Sequence, residues 1–321
     1  MAIKLGSTNF GEIYLGSVKI GEAYYGSTKV FPATPVDPYN PLDLPPYTIR
    51  VQFEDGVTPS FPFPRRATQV SVTPNVWDVS TSHLGQYGDW DDLLDVDAIG
   101  YSPIAVLGAN STGVYSMRAM LLRCNLLTAV SLFDTRSVTK FDDMFSGCSS
   151  LATVPLFDTS SATGMPGMFR YCSFSTVPLF NTGSVENFDG MFANCYNLTS
   201  VPLFNTSSAT SMRAMFDSCR SLASVPLFNT SSVEDFNSMF LYCESLAAVP
   251  LFDTSSATDM SWMFMGCDIV ESGALALYTQ ASTQATPPIS HDGTFENCGR
   301  YTVTGAQELA QIPTSWGGTG A

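Results

Sequence analysis

Residues 222–245 read LASVPLFNTSSVEDFNSMFLYCES, and residues 198–221 just before them read LTSVPLFNTSSATSMRAMFDSCRS. Residues 151–174 give the same phrase again, LATVPLFDTSSATGMPGMFRYCSF. The beat extends outward in both directions. Phe133, Phe157, Phe180, Phe204, Phe228 and Phe252 keep it, and so do the Met-Phe pairs at 144/145, 168/169, 191/192, 215/216, 239/240 and 263/264. Cys124, Cys148, Cys172, Cys195, Cys219, Cys243 and Cys267 fall 24 residues apart, with one step of 23, and Cys298 follows after a longer gap. A period in the twenties belongs to strand-plus-helix repeats, in which one unit cannot bury its own apolar side and stacked units share one core.

Each unit has two halves. L-x-x-V-P-L-F carries apolar residues at positions 1, 4 and 6, the pattern of a short strand on an inner sheet. Pro155, Pro178, Pro202, Pro226 and Pro250 each remove a ladder donor, so the paired part must be very short or bulged. The D/N-T-S-S segment is turn and capping chemistry. Val233, Phe236, Met239, Phe240 and Cys243 then fall at i, i+3, i+6, i+7 and i+10, which predicts one face of a short helix. A second beat alternates Val138/Phe141, Val185/Phe188 and Val233/Phe236 with Ala162/Met165, Ala209/Met212 and Ala257/Met260. Interdigitating layers or duplication of a two-rung unit explain it equally well.

The regular cysteines argue against chemistry. Side chains at one register position form a buried column, without the C-x-x-C spacing or repeating histidine of a zinc site. His83 and His291 have no partner pattern. Asp134, Asp158 and Asp253 share a turn column with Asn181, Asn205 and Asn229. Turn capping fits that mixture better than a calcium site, because half the positions are amides. No catalytic residue, metal ligand or cofactor is therefore expected, and no enzyme activity. The net charge of −15, with only 14 Lys and Arg, argues against nucleic acid or anionic lipid as partner. The sequence has neither an 18-residue apolar segment nor an apolar run of the kind that opens a secretory leader, so neither membrane insertion nor a secretion route is expected.

The chain opens on a second repeat, IKLGSTNFGE, IYLGSVKIGE and AYYGSTKVFP, which predicts a small antiparallel β module over 1–31. Thirty residues are too few for an independent core. Leu5, Phe10, Ile13, Leu15, Ile20, Tyr24 and Tyr25 are accordingly its candidate attachment residues, toward copies of itself or another protein. A proline-rich linker (32–46) leads to a β cap (47–104), with strands expected at 47–53 and 67–73 and with Trp77 and Trp90 at its base. The repeats occupy 105–268, and a C-terminal cap occupies 269–321, where register resumes at 293–298 and a closing helix is expected at 304–312.

Core positions of the repeat hardly vary, whereas outward positions do. Leu241, Tyr242, Trp262 and Met265 form a candidate contact patch in adjacent rungs, and Arg170, Tyr171, Arg213 and Arg220 form a more polar stretch. That these positions are merely unconstrained remains open.

The phrase L-x-x-V-P-L-F-D-T-S-x-V-x-x-M-x-x-M-F-x-x-C resembles the BspA-type leucine-rich repeat over residues 105–300. The resemblance implies an α/β fold, a right-handed leucine-rich-repeat solenoid with a short strand and short helix per 24-residue rung. Bacterial members are typically surface adhesins. The decapeptide x-L-G-S-T-x-x-G-E, the proline-rich spacer and V-x-N-V-W-D (Val72–Asp78) are similar to the front end of phage tail proteins that carry such repeats. Together these lead to the expectation of a non-enzymatic, homo-oligomeric virion protein. Its N-terminal module would join other tail proteins, and its repeats would bind a host cell-surface protein or glycan. The alternative is a bacterial surface adhesin or interaction scaffold.

Overall fold

The computed structural model describes residues 44, 47–61, 65–72, 74–81, 92–94 and 96–320, together with four residue pairs near the N-terminus. The chain divides into two units, Met1–Asp43 and Leu44–Ala321. In the first unit β1 (Tyr14–Leu15) pairs antiparallel with β2 (Val18–Lys19), and β3 (Tyr24–Tyr25) with β4 (Thr28–Lys29). Leu15, Tyr24 and Tyr25 lie on these strands; Leu5, Phe10, Ile13 and Ile20 lie outside the described residues, as do His83 and Trp90.

The second unit begins with a mixed sheet. β5 (Thr48–Phe53), β6 (Arg65–Val72), β7 (Asn75–Thr81), β8 (Ala105–Asn110) and β9 (Ala129–Val130) are ordered β6-β7-β5-β8-β9. All pairs are antiparallel except β8–β9. β8 is therefore the hinge of the architecture, joining an antiparallel cap on one side to the parallel stacking of the repeats on the other. Trp77 is half-buried on β7 against Phe61, and its indole N–H donates to Asn75 Oδ1 at 2.9 Å.

Beyond β9 the repeats stack through a continuous column of parallel bridges, Ser116–Lys140–Gly164–Asn187–Ser211–Asp235–Asp259–Ser290. The predicted helix is absent. Residues 233–243 and their equivalents are chains of turns, and the described helices are α1 (Val96–Ile99), α2 (Ala274–Thr283) and α3 (Val303–Leu309), all outside the regular repeats. The backbone explains why. The N–H groups of Phe236, Ser238, Phe240 and Tyr242 donate to Asp259, Ser261, Met263 and Met265 in the next rung, while those of Met239, Leu241 and Cys243 close turns on Phe236, Ser238 and Phe240. Alternate amides thus leave the rung, which an α-helix does not allow. Val233, Phe236, Met239, Phe240 and Cys243 are still fully buried. A spacing of three and four residues is satisfied by stacked turns as well as by a helix.

The strand half also departs from expectation. Parallel strand pairing at L-x-x-V occurs where β9 meets β8, and Ala248 bridges Ser272. Next to the prolines a tight turn takes over. The N–H groups of Phe157, Phe180, Phe204 and Phe252 donate to the carbonyls of Pro155, Pro178, Pro202 and Pro250 two residues earlier. Such a three-residue turn places its central residue at the apex. The central residue is the leucine at position 6, which is exposed, and the phenylalanine at position 7 takes the buried place.

The core is a set of columns. Phe145, Phe169, Phe192, Phe216, Phe240, Phe264 and Phe295 stack with centroids 5.2–5.9 Å apart and planes within 19° of parallel. Such offset pairs add about 0.5–1.5 kcal/mol each beyond burial. Phe157, Phe180, Phe204, Phe228 and Phe252 pack beside them. All eight cysteines are buried free thiols. Cys172, Cys195, Cys219 and Cys243 point Sγ at the carbonyls of Phe145, Phe169, Phe192 and Phe216, 3.0–3.2 Å away in the preceding rung. The thiol is therefore a small hydrophobe that also donates back to the rung before it. Thr159, Thr182, Thr206 and Thr230 join rungs in the opposite direction in the other half, each hydroxyl donating to the Asn or Asp carbonyl of the next rung at 2.7–2.9 Å.

After α2 the register resumes at Ser290, and Phe295 stacks on Phe264. Trp316 closes the column against Phe295 and lies parallel to the His291 ring, 4.2 Å between centroids. α3, capped by the Thr302 hydroxyl, completes this end.

Candidate interaction surface

Every turn stack contains two backbone positions of positive φ four residues apart. The first column is Ala119, Asp143, Gly167, Gly190, Ala214, Ser238, Trp262 and Gly293; the second is Arg123, Gly147, Tyr171, Asn194, Ser218, Tyr242, Gly266 and Asn297. A Trp or Tyr held at positive φ is unusual, because only glycine adopts that region without steric cost. Arg123, Asp143, Tyr242 and Trp262 are each followed one rung later by glycine, whereas Tyr171 is followed by Asn194. A Cβ on Gly147 would meet Arg123, one on Gly167 would meet Asp143, one on Gly266 would come 2.5 Å from Tyr242 Cδ1, and one on Gly293 would come 2.8 Å from Trp262 Cδ1. The missing side chain makes room for the neighbouring one to fold along the stack.

The residues expected on the outward face differ in exposure. Tyr171, Tyr242 and Trp262 are exposed at 47, 43 and 46%. Arg170, Arg213 and Arg220 are exposed, whereas Leu241 and Met265 are half-buried. The Arg170 guanidinium sits 5.6 Å from the Tyr171 ring centre, and Arg220 sits 5.6 Å from that of Tyr196 while pairing with Glu244 at 3.4 Å. Tyr196 was not singled out in the sequence, nor was Tyr301, which lies under Arg300 at 4.6 Å. Tyr242 and Trp262 occupy adjacent columns, not one, so the patch is a staggered pair of rings rather than a ladder.

Two carboxylates, Asp235 and Asp259, stand in the bridge column. Asp235 Oδ1 accepts from the Asn237 N–H, and Asp259 Oδ1 from that of Ser261, both at 2.8 Å. Burial raises the Asp235 pKa, and the nearby Asp259 and Asp189 charges add to the rise against the lowering hydrogen bond. Burial likewise raises Asp217, opposed by the Ser218 hydroxyl and the Arg170 charge, and raises Asp142, opposed by Arg118 and Lys140. The turn acids behave oppositely. Asp158 and Asp253 are lowered chiefly by hydrogen bonds from Ser160 and Ser255, and Asp134 by Arg136. Their Oδ1 atoms accept the backbone N–H two residues on, as do those of Asn181, Asn205 and Asn229. That shared turn role accounts for the mixture of Asp and Asn. Among the described residues no group of His, Cys, Asp or Glu could hold a metal ion, and no helix is long and apolar enough to cross a membrane.

The surface the sequence did not reveal is the leucine column. Leu132, Leu156, Leu179, Leu203, Leu227 and Leu251 are exposed at 52–65%. Alternation along an ideal strand would have turned them inward; the three-residue turns closed by Phe157, Phe180, Phe204 and Phe252 turn Leu156, Leu179, Leu203 and Leu251 out, and Leu132 is equally exposed without a proline before it.

No curated protein matches the chain. Among solved structures, a leucine-rich repeat protein from Bacteroides ovatus ATCC 8483 aligns at 15% identity over 58% of this chain and 75% of its own, with a TM-score of 0.20. A family model described as "Mycoplasma protein of unknown function, DUF285" matches residues 105–200 and 173–275. Those matches span more than half of the 321 residues, and they coincide with the stacked repeats, so the chain belongs to this family.

Proposed function

We propose that the chain is a non-enzymatic interaction protein. In this reading its repeats form a right-handed leucine-rich-repeat solenoid that binds a cell-surface protein or glycan. The observation that carries it is the treatment of Tyr242 and Trp262. Two large rings are held half-exposed on positive-φ backbone, each with a glycine in the next rung to give it room. Tyr, Trp and Arg are the residue types enriched among contacts that carry binding energy. Multiple copies would convert weak contacts into avidity.

Two settings fit. The resemblance of the decapeptide repeat to phage tail proteins supports a virion protein anchored through residues 1–31. The family match, whose description names Mycoplasma, fits a bacterial surface adhesin at least as well. Binding of the labelled chain to candidate host cells tests the common core of both. Tyr242→Ala with Trp262→Ala should reduce binding at least tenfold with an unchanged melting temperature, and unchanged binding rejects the patch. Mass spectrometry of purified particles against cell envelopes separates the settings. If particles carry the chain, deleting residues 1–31 should abolish incorporation.

A further inference from the structure

The leucine column has no role in the reading above. Its six side chains are exposed by more than half, in a chain where most other large apolar residues are buried. Scaled by residue mass and exposure, they offer on the order of 600 Å² of apolar surface, at the top of the range for a monomer's largest patch. The half-buried prolines 155, 178, 202, 226 and 250 extend it. The neighbouring exposed positions are small and neutral, such as Ala152, Thr153, Ser175, Thr199, Ala223 and Ala247.

We infer that this face is an interface between two copies of the chain. Charge is the first argument. The six segments 127–133, 151–157, 174–180, 198–204, 222–228 and 246–252 contain no Asp, Glu, Lys, Arg or His, although the chain carries a net −15. A second copy is repelled wherever the acidic surface meets itself, and it can approach here without like-charge contact. The bordering turn column sharpens this, with Asp134, Asp158 and Asp253 toward its ends and Asn181, Asn205 and Asn229 in the middle. A neutral centre with charges at the rim is the layout of a protein interface.

Spacing is the second argument. Side chains repeated at the stacking distance fit the gaps of another column with the same repeat, and a second copy has it by construction. A two-fold axis between Leu179 and Leu203 sets each leucine against its symmetry-related position. Area is the third. The leucines with their prolines approach the roughly 800 Å² per partner of a standard stable interface.

Sedimentation of the full chain between about 1 and 100 µM, at or above the micromolar upper end of Kd for an interface of this size, is the test. The wild type should sediment as a dimer. Leu179→Lys with Leu203→Lys should be monomeric with an unchanged melting temperature, and so should Leu179→Asp with Leu203→Asp. Mixing the lysine and aspartate chains should restore the dimer. Should either charged pair fail to fold, Leu203→Gln replaces it and should weaken association at least tenfold. A monomeric wild type, or folded variants that dimerise as the wild type does, overturns the inference. The test is independent of whether Tyr242 and Trp262 bind a receptor.

Discussion

The indole of Trp262 occupies the space where a side chain at position 293 would begin, so a Cβ there would lie 2.8 Å from Cδ1. Gly293 also has φ of +61°, one rung above the Trp262 φ of +57°. The pairing joins sequence to function. At Trp262 the ring folds along the stack into the space left by the missing side chain of Gly293; Tyr171, with Asn194 in the next rung, has no such glycine.

Replacing that glycine should displace the ring. Gly293→Ala and Gly266→Ala should each destabilise by about 1–3 kcal/mol, combining positive-φ strain with a steric clash. Gly190→Ala is the control. Its Cβ would meet only Ala193 at 3.8 Å, and Ala119 and Ala214 already occupy the same column. Denaturant unfolding of the three variants should rank Gly190→Ala mildest, and equal costs would remove the clash explanation.

The thiols should be silent in the folded chain. Burial raises the Cys195 pKa to about 12 and pushes Cys148, Cys219 and Cys243 well up. The thiolate is the reacting form, so a bulky thiol reagent at about pH 8 should label none in native buffer. In guanidinium all eight should react. Fast labelling of any one in native buffer would contradict the column.

Asp235→Asn should stabilise the chain at neutral pH. The folded pKa of Asp235 is raised, so its favourable contribution is complete below the unfolded value of 3.8 and is lost as pH rises through the folded one. Asparagine keeps the Oδ1 acceptor, as Asn187 does at the equivalent position, where it accepts the Asp189 N–H at 2.7 Å. The melting temperature should rise at about pH 7, and the gain should shrink below about pH 4. A gain that does not change with pH would point to another cause.

Phe216→Ala should cost about 3–5 kcal/mol, the usual range for a buried phenylalanine. The ring touches Phe192, Phe228 and Phe240, so the loss opens a gap between rungs. Because rungs contact chiefly their neighbours, unfolding should become less cooperative, with calorimetric enthalpy exceeding the van't Hoff value. A single sharp transition would show that coupling reaches past nearest neighbours.

Much was legible before any coordinates. The repeat length, the cysteine, phenylalanine and methionine columns, the turn role of Asp and Asn and the outward placement of Tyr171, Tyr242 and Trp262 all follow from side-chain type at fixed register. The helix was misread because Val233, Phe236, Phe240 and Cys243 have a spacing that stacked turns share. Leu203 was misplaced because alternation assumes an extended strand, and Pro202 diverts the chain into a three-residue turn. Gly266 carried a signal, a large residue and then glycine one 24-residue period later, whereas Gly293 lies 31 residues after Trp262, past the insertion that carries α2, and meets it only once the rungs are aligned in space.

The sequence by itself determined that the phenylalanine, methionine and cysteine columns lie inside and how often the pattern returns, because burial of these groups follows residue type at fixed register. Tertiary structure alone decided where the backbone hydrogen bonds go. Alternate amides can reach the next rung only when that rung is in place, and this choice replaced helix with turns; stacking set Trp262 beneath Gly293, and the separate three-residue turns of the other half turned leucines to the solvent.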